Sequence, residues 1–201
     1  MSNIAFSRIQ RECREVATNK ELEETGIMIE VIDNELTHLK GVINGPPDSP
    51  YEGGKFTLDI VVPETYPFQP PKVKFVTKIW HPNVSSQTGM ICLDILKDQW
   101  AASLTLRTVL LSVQSLLALP EPKDPQDAVV AKQKMSCPDM FEKTARFWSQ
   151  HYANAPGHKN EEFLSNIKKE DKDTRVIKDQ AISVLSCHGW DTRQATDYIF
   201  S

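Results

Sequence analysis

The chain has 201 residues, 40% of them hydrophobic and 25% charged, with a formal net charge of −4. That balance suits an ordinary globular domain with a small appendage and argues against wholesale disorder. It lacks the basic excess of a nucleic-acid binder, and no apolar run approaches the roughly 20 residues of a membrane-spanning helix.

Met1 to Gln10 has no apolar core of the kind a secretory leader carries, so the expected compartment is the cytoplasm or the nucleus. The same stretch opens an amphipathic helix that Ser2 or Asn3 can cap, with Ala5, Ile9, Cys13 and Val16 on one face. Arg8, Arg11 and Arg14 recur every three residues on another side, either a solvated face or a docking surface. Ile27, Ile29 and Val31 alternate, and Leu39 to Ile43 is a short apolar run closed by Asn44-Gly45-Pro46-Pro47. Phe56, Leu58, Ile60 and Val62 alternate with Lys55, Thr57, Asp59 and Val61, and Val73 and Phe75 alternate with Lys72 and Lys74. Four short strands with turn-length connections predict an antiparallel meander flanked by helices, an α+β fold. Between Val76 and Leu104 the pattern stops, yet Trp80, Ile91, Leu93, Ile95 and Trp100 make the stretch too apolar for disorder. An ordered, functional loop is expected there. Leu104 to Leu119 is apolar on most sides and predicts a buried central helix. Further helices are expected over Asp127 to Ser136 and from Pro138 to Tyr152, the latter with Phe141, Thr144, Trp148 and Tyr152 inward. Asn154 to Asn160 reads as a linker, followed by three short helices. Asp191 caps the last of these, with Gln194 at capping-box spacing and Ala195, Tyr198 and Ile199 as its apolar stripe.

Cys13, Cys92, Cys137 and Cys187 are far apart in the chain and form no C-x-x-C pair, so neither zinc nor disulfides are expected. Of the four, Cys92 lies in the ordered loop, with the amide of Asn83 upstream. A thiol can hold an acyl group as a thioester, and an amide N–H aimed at the oxygen of the tetrahedral intermediate stabilises it by a few kcal/mol. Asn83 can equally bond backbone in its own loop. A cysteine-protease reading needs a histidine base, and His81, between Trp80 and Pro82, reads as rigid and structural. A metal site on His81 and Cys92 lacks two further ligands.

Tyr66-Pro67-Phe68-Gln69-Pro70-Pro71, Trp80-His81-Pro82-Asn83, Gly89-Met90-Ile91-Cys92-Leu93-Asp94 and Trp100 together resemble the core of the ubiquitin-conjugating enzymes. The rest of the chain resembles the huntingtin-interacting subgroup with a C-terminal ubiquitin-associated domain. The resemblance implies a catalytic domain over 1–153, a linker over 154–160 and a three-helix ubiquitin-associated-like domain over 161–201. It implies that Cys92 carries ubiquitin, that Asn83 is the amide near the oxyanion and that His81 orders the loop. It implies that an acid facing the incoming lysine is Asp124, with Asp127 as the fallback. Its partners are ubiquitin, the activating enzyme, ligases of the RING type and protein substrates. Docking falls to Arg8, Arg11, Phe68 and Ala101-Ala102, and Ala102 stands where many relatives have proline. No cofactor is bound, ATP being consumed upstream by the activating enzyme, and the expected product is polyubiquitin of the proteasome-targeting linkage.

The tail departs from its family. The usual Met-Gly-Phe loop is replaced by Asp173-Thr174-Arg175-Val176-Ile177, so weak or no ubiquitin binding is expected there. Two rival functions remain: a carrier of another ubiquitin-like modifier on the same fold, and a non-catalytic scaffold. The presence of Cys92 with Asn83 speaks against the scaffold.

Overall fold

The computed structural model describes residues 3–174 and 177–201. Two helices, α1 (Asn3–Thr18) and α2 (Lys20–Glu24), precede strands β1 (Met28–Ile32), β2 (Glu35–Asn44), β3 (Lys55–Val61) and β4 (Lys72–Phe75). The strands form one antiparallel sheet in the order β1-β2-β3-β4. After a long loop come α3 (Leu106–Ala118), α4 (Ala128–Ser136), α5 (Pro138–Tyr152), α6 (Glu161–Thr174), α7 (Lys178–Cys187) and α8 (Thr192–Ile199).

The period-2 pattern of β2–β4 becomes two inward rows across the sheet, Leu39–Ile60–Val73 and Gly41–Leu58–Phe75. Gly41 has no side chain because α3 sits there: a Cβ would stand 3.1 Å from Leu110. Leu106, Val109, Leu110, Val113, Leu116 and Leu117 of α3 are all buried, as its apolar girth predicts, and Thr105 caps the helix by accepting from the Thr108 N–H. In β1 the alternation holds only in part. Val31 is exposed although its partner across the ladder, Leu39, is buried, because it lies near the end of β1, an outer strand of the sheet.

The buried face of α1 is Ala5, Ile9, Glu12 and Val16, with Cys13 only half-buried. The positions i, i+4, i+7, i+11 follow the helix more closely than the stripe through Cys13, and they bury a carboxylate. The candidate cap Ser2 lies outside the described residues.

Residues 154–160 are packed rather than free. Ala155 is buried, and Gln150 Nε2 donates to the carbonyls of Pro156 and His158 at 3.3 and 3.2 Å. The helices α6–α8 that follow close no separate core. Trp190 stacks on Phe163 at 3.7 Å, meets Phe147 of α5 edge-on and donates from Nε1 to Thr144 Oγ1 at 3.0 Å. Trp148 Nε1 donates to Ser186 Oγ at 2.9 Å. A three-helix unit of marginal size thus shares the apolar interior of α5. In α8 the predicted stripe is broken, for Ala195 is buried but Tyr198 is exposed beside His188. Arg175 and Val176 of the altered loop lie outside the described residues. Ile177, its last residue, is exposed, as is Phe200.

Candidate active site

The loop between β4 and α3 is ordered by its own backbone. Ser85 N donates to Met90 O, Phe75 N to Gly89 O and Cys92 N to Asn83 O, each within 2.9 Å, folding residues 83–92 into a tight hairpin. Gly89 permits this turn. Its φ is +74° and a Cβ would overlap the Phe75 carbonyl oxygen. The hairpin sets Cys92 opposite Asn83.

The segment after α3 lies against this hairpin. Pro82 O accepts from both Gln126 N and Asp127 N at 2.9 Å. The Asn83 side chain makes three further bonds: Nδ2 donates to Glu121 O and Asp124 O at 2.9 Å each, and Oδ1 accepts from Glu121 N at 2.8 Å. Both amide protons are therefore engaged with backbone, that of the 121–124 segment rather than of the loop Asn83 belongs to. Asp127, the fallback acid, is committed elsewhere. Its Oδ1 caps α4 through Val130 N, and its Oδ2 accepts from Ser86 N and Oγ at 3.0 and 2.7 Å. That leaves Asp124 as the acid of this segment facing the thiol.

His81 is fully buried. Its Nδ1 accepts from Asn83 N at 3.0 Å, which requires that nitrogen to be unprotonated, so Nε2 carries the proton donated to Leu116 O at 3.0 Å. Burial pushes its pKa down to about 3. A histidine held neutral with both nitrogens occupied is no general base, and it ties the hairpin to α3.

Cys92 itself is half-buried at the floor of a cleft bordered by Asn83, Asp94, Lys97, Glu121 and Asp124. Its Sγ lies 3.7 Å from Asp124 Oδ2, and Lys97 Nζ donates to it at 3.4 Å. Lys97 was not foreseen from sequence. It follows Cys92 by five residues across a 3-10 turn at Asp94–Leu96, which folds it back over the sulfur. Among the described residues no group of three or more His, Cys, Asp or Glu side chains is arranged to hold a metal ion.

A thiol open to solvent, backed by a hydrogen-bonded amide and faced by a carboxylate, can accept an acyl group and pass it to an amine. Comparison with known proteins bears on which acyl group. The family model described as ubiquitin-conjugating enzyme matches residues 8–149. The chain belongs to the ubiquitin-conjugating enzyme family. Human ubiquitin-conjugating enzyme E2 K is 53% identical over the whole of both chains, and the Drosophila melanogaster ubiquitin-conjugating enzyme E2-22 kDa is 54% identical over the same extent. The crystal structure of a putative ubiquitin conjugating enzyme from Plasmodium yoelii superposes with a TM-score of 0.71 at 47% identity, covering 78% of this chain and 99% of that one. The protein is thus a ubiquitin-conjugating enzyme, whose family works with ubiquitin, an activating enzyme and ligases.

Of the positions expected to dock partners of this enzyme, Arg8 lies against the buried carboxylate of Glu12. That carboxylate accepts from Arg8 Nε at 2.7 Å, from Tyr66 OH at 2.7 Å and from Leu106 N at 2.9 Å. Burial and the bond to Glu12 hold the Tyr66 phenol well above its ordinary pKa. The Arg8 guanidinium also donates to Leu104 O at 2.9 Å, so Arg8 is a structural brace and Arg11 presents its side chain to solvent. Trp100 Nε1 donates to Pro67 O at 2.8 Å, joining the loop that displays Phe68, 77% exposed, to the loop of Ala101 and Ala102, both exposed. Glu12 lies seven residues after Ala5 on the buried face of α1, a spacing that by itself does not set it apart from Arg8.

Proposed function

We propose that this ubiquitin-conjugating enzyme accepts ubiquitin as a thioester on Cys92 and transfers it to a lysine amine. The observation that carries the reading is the solvent-open Cys92 sulfur with the Asp124 carboxylate 3.7 Å away, in the cleft braced by Asn83. In charging, the Cys92 thiol loses its proton and its sulfur bonds the ubiquitin C-terminal carbonyl carbon, displacing the thiol of the activating enzyme. In discharge, the lysine nitrogen attacks that carbon, the C–N bond forms, the C–S bond breaks and Cys92 leaves as thiolate. Asp124 orients the lysine ammonium and takes up its proton. One N–H of Asn83 turns from its backbone carbonyl to the oxyanion as the tetrahedral centre forms. His81 acts at one remove, as the brace of the hairpin.

Residues 1–153 form the catalytic domain in this reading, 154–160 the connection and 161–201 a ubiquitin-associated-like domain. Without the glycine and aromatic of the usual loop, that domain binds ubiquitin weakly, Ile177, Tyr198 and Phe200 being its exposed large apolar side chains among the described residues. The activating enzyme and RING-type ligases dock on α1 through Arg11, on Phe68 and on Ala101-Ala102. The product is polyubiquitin of the proteasome-targeting linkage, made in the cytoplasm or nucleus, with ATP consumed by the activating enzyme. Cys92→Ser tests the chemistry. An alkoxide leaves less readily than a thiolate, so this variant charges slowly to an alkali-labile ester and then holds it. Rapid discharge to lysine from the serine variant would contradict the scheme.

A further inference from the structure

We propose that a lysine-rimmed apolar groove beside the sheet edge receives the acceptor polypeptide next to its target lysine and selects acidic side chains there. The proposal rests on the function proposed above, since it names how that same site chooses its substrate.

β4 is an outer strand of the sheet, bridged to the 83–92 hairpin at Lys74–Met90, and a groove of about 710 Å3 lies against β3, β4 and that hairpin. Val61, Pro71, Met90 and Leu96 give it an apolar wall, with Val61 42% and Met90 52% exposed. The charges around it are Lys72, Lys74 and Lys97 against the single carboxylate of Asp59. That carboxylate is already engaged, by His38 Nε2 at 2.7 Å and Lys74 Nζ at 3.4 Å. Among the described residues, Lys72 and Lys97 make no ion pair.

The groove is continuous with the reacting sulfur. Lys97 borders both the groove and the Cys92 cleft, its Nζ is 3.4 Å from Sγ, and Ile91 of the groove precedes Cys92 in the chain. A lysine whose amine reaches Cys92 and Asp124 must have its chain neighbours close by, each extended residue covering about 3.3 Å. The two ways out of the site differ in charge. The cleft sets the carboxylates of Asp94, Asp98, Glu121 and Asp124 against Lys97 and Lys123, an acidic excess that repels acidic side chains, whereas the groove sets Lys72, Lys74 and Lys97 against Asp59 alone. An acceptor with acidic and apolar residues within a few positions of its lysine therefore fits along the groove.

The test is single-turnover discharge of the full-length enzyme, charged with ubiquitin, to synthetic peptides with the lysine flanked by Glu and Leu or by Arg and Leu. Free lysine serves as the reference acceptor. The acid-flanked peptide is expected to react about fivefold faster at low salt, the scale of an exposed charge pair, with the advantage shrinking as salt rises. Lys72→Glu is expected to remove or reverse the preference, and Lys74→Gln, which adds no opposing charge beside Asp59, to reduce it. Equal rates for the two peptides with the unaltered enzyme would overturn the proposal. So would a charge reversal that slows charging, which would give the groove to ubiquitin, or one that slows free lysine and both peptides by one factor. An unaltered enzyme that fails to charge would sink the underlying reading instead, and the gel reports this before any acceptor is added.

Discussion

His81 makes stability depend on pH in a way that can be worked out from its surroundings. Its ordinary pKa is 6.5 and burial lowers it to about 3 in the folded chain. For a base with a depressed folded pKa, the unfolded chain binds more protons between those values. The stabilisation is thus complete above about pH 6.5 and is lost as pH falls toward 3. At pH 5 an unfolded His81 is almost wholly protonated and a folded one almost wholly neutral. The difference from pH 7.5 amounts to about 2 kcal/mol, at about 1.4 kcal/mol per pH unit. His81→Asn offers an oxygen near the Nδ1 position to accept from Asn83 N, loses the bond to Leu116 O and cannot titrate. The variant should be about 2 kcal/mol less stable than the parent at pH 7.5, from the lost bond and ring. Urea unfolding of both proteins at pH 7.5 and 5 should show that gap nearly closing at the lower value. Parallel losses of stability in the two proteins would refute the neutral, doubly bonded assignment of His81.

Asn83→Ala removes three bonds between the hairpin and the segment carrying Asp124, a loss of about 2–3 kcal/mol that calorimetry can read. The variant should still charge but discharge at least tenfold more slowly; failure to charge, with normal discharge of any loaded fraction, would contradict the oxyanion role. Trp190→Ala should destabilise the whole chain by about 3–5 kcal/mol in one cooperative transition, because its ring packs between Phe163 and Phe147. Early melting of α6–α8 with the remaining transition unmoved would show two independent cores. In NMR of the full chain, ubiquitin at sub-millimolar concentration should leave resonances of residues 177–201 short of saturation, and saturating shifts on one face there would reverse the weak-binding reading.

Much of this architecture was legible because two physical periods dominate it. The alternation in β3 and β4 and the apolar girth of α3 each admit one solution, and the structure has it. Reading failed where a residue's surroundings are set by distant segments. Glu12 reads as one more surface charge in α1 until Tyr66 and Leu106 are seen to supply its partners. Val31 is exposed near the end of an outer strand although its partner Leu39 is buried, which the alternation alone does not show. The proline, glycine and polar residues of 154–160 look like a tether, yet Gln150 holds that strap against α5. At the site, the motifs contain Cys92 and Asn83, and the family resemblance pointed to Asp124, with Asp127 as the fallback. Lys97 over the sulfur and the engagement of both Asn83 amide protons depend on how the 3-10 turn and the 121–124 segment fold back.

The central claim is that Cys92 carries ubiquitin. A charging reaction with ubiquitin, activating enzyme and ATP, resolved on gels with and without reductant, tests it most directly. The account predicts a ubiquitin-sized shift that disappears with reductant and is absent from Cys92→Ala. A shift that survives reductant, or one that persists in the alanine variant, would contradict it.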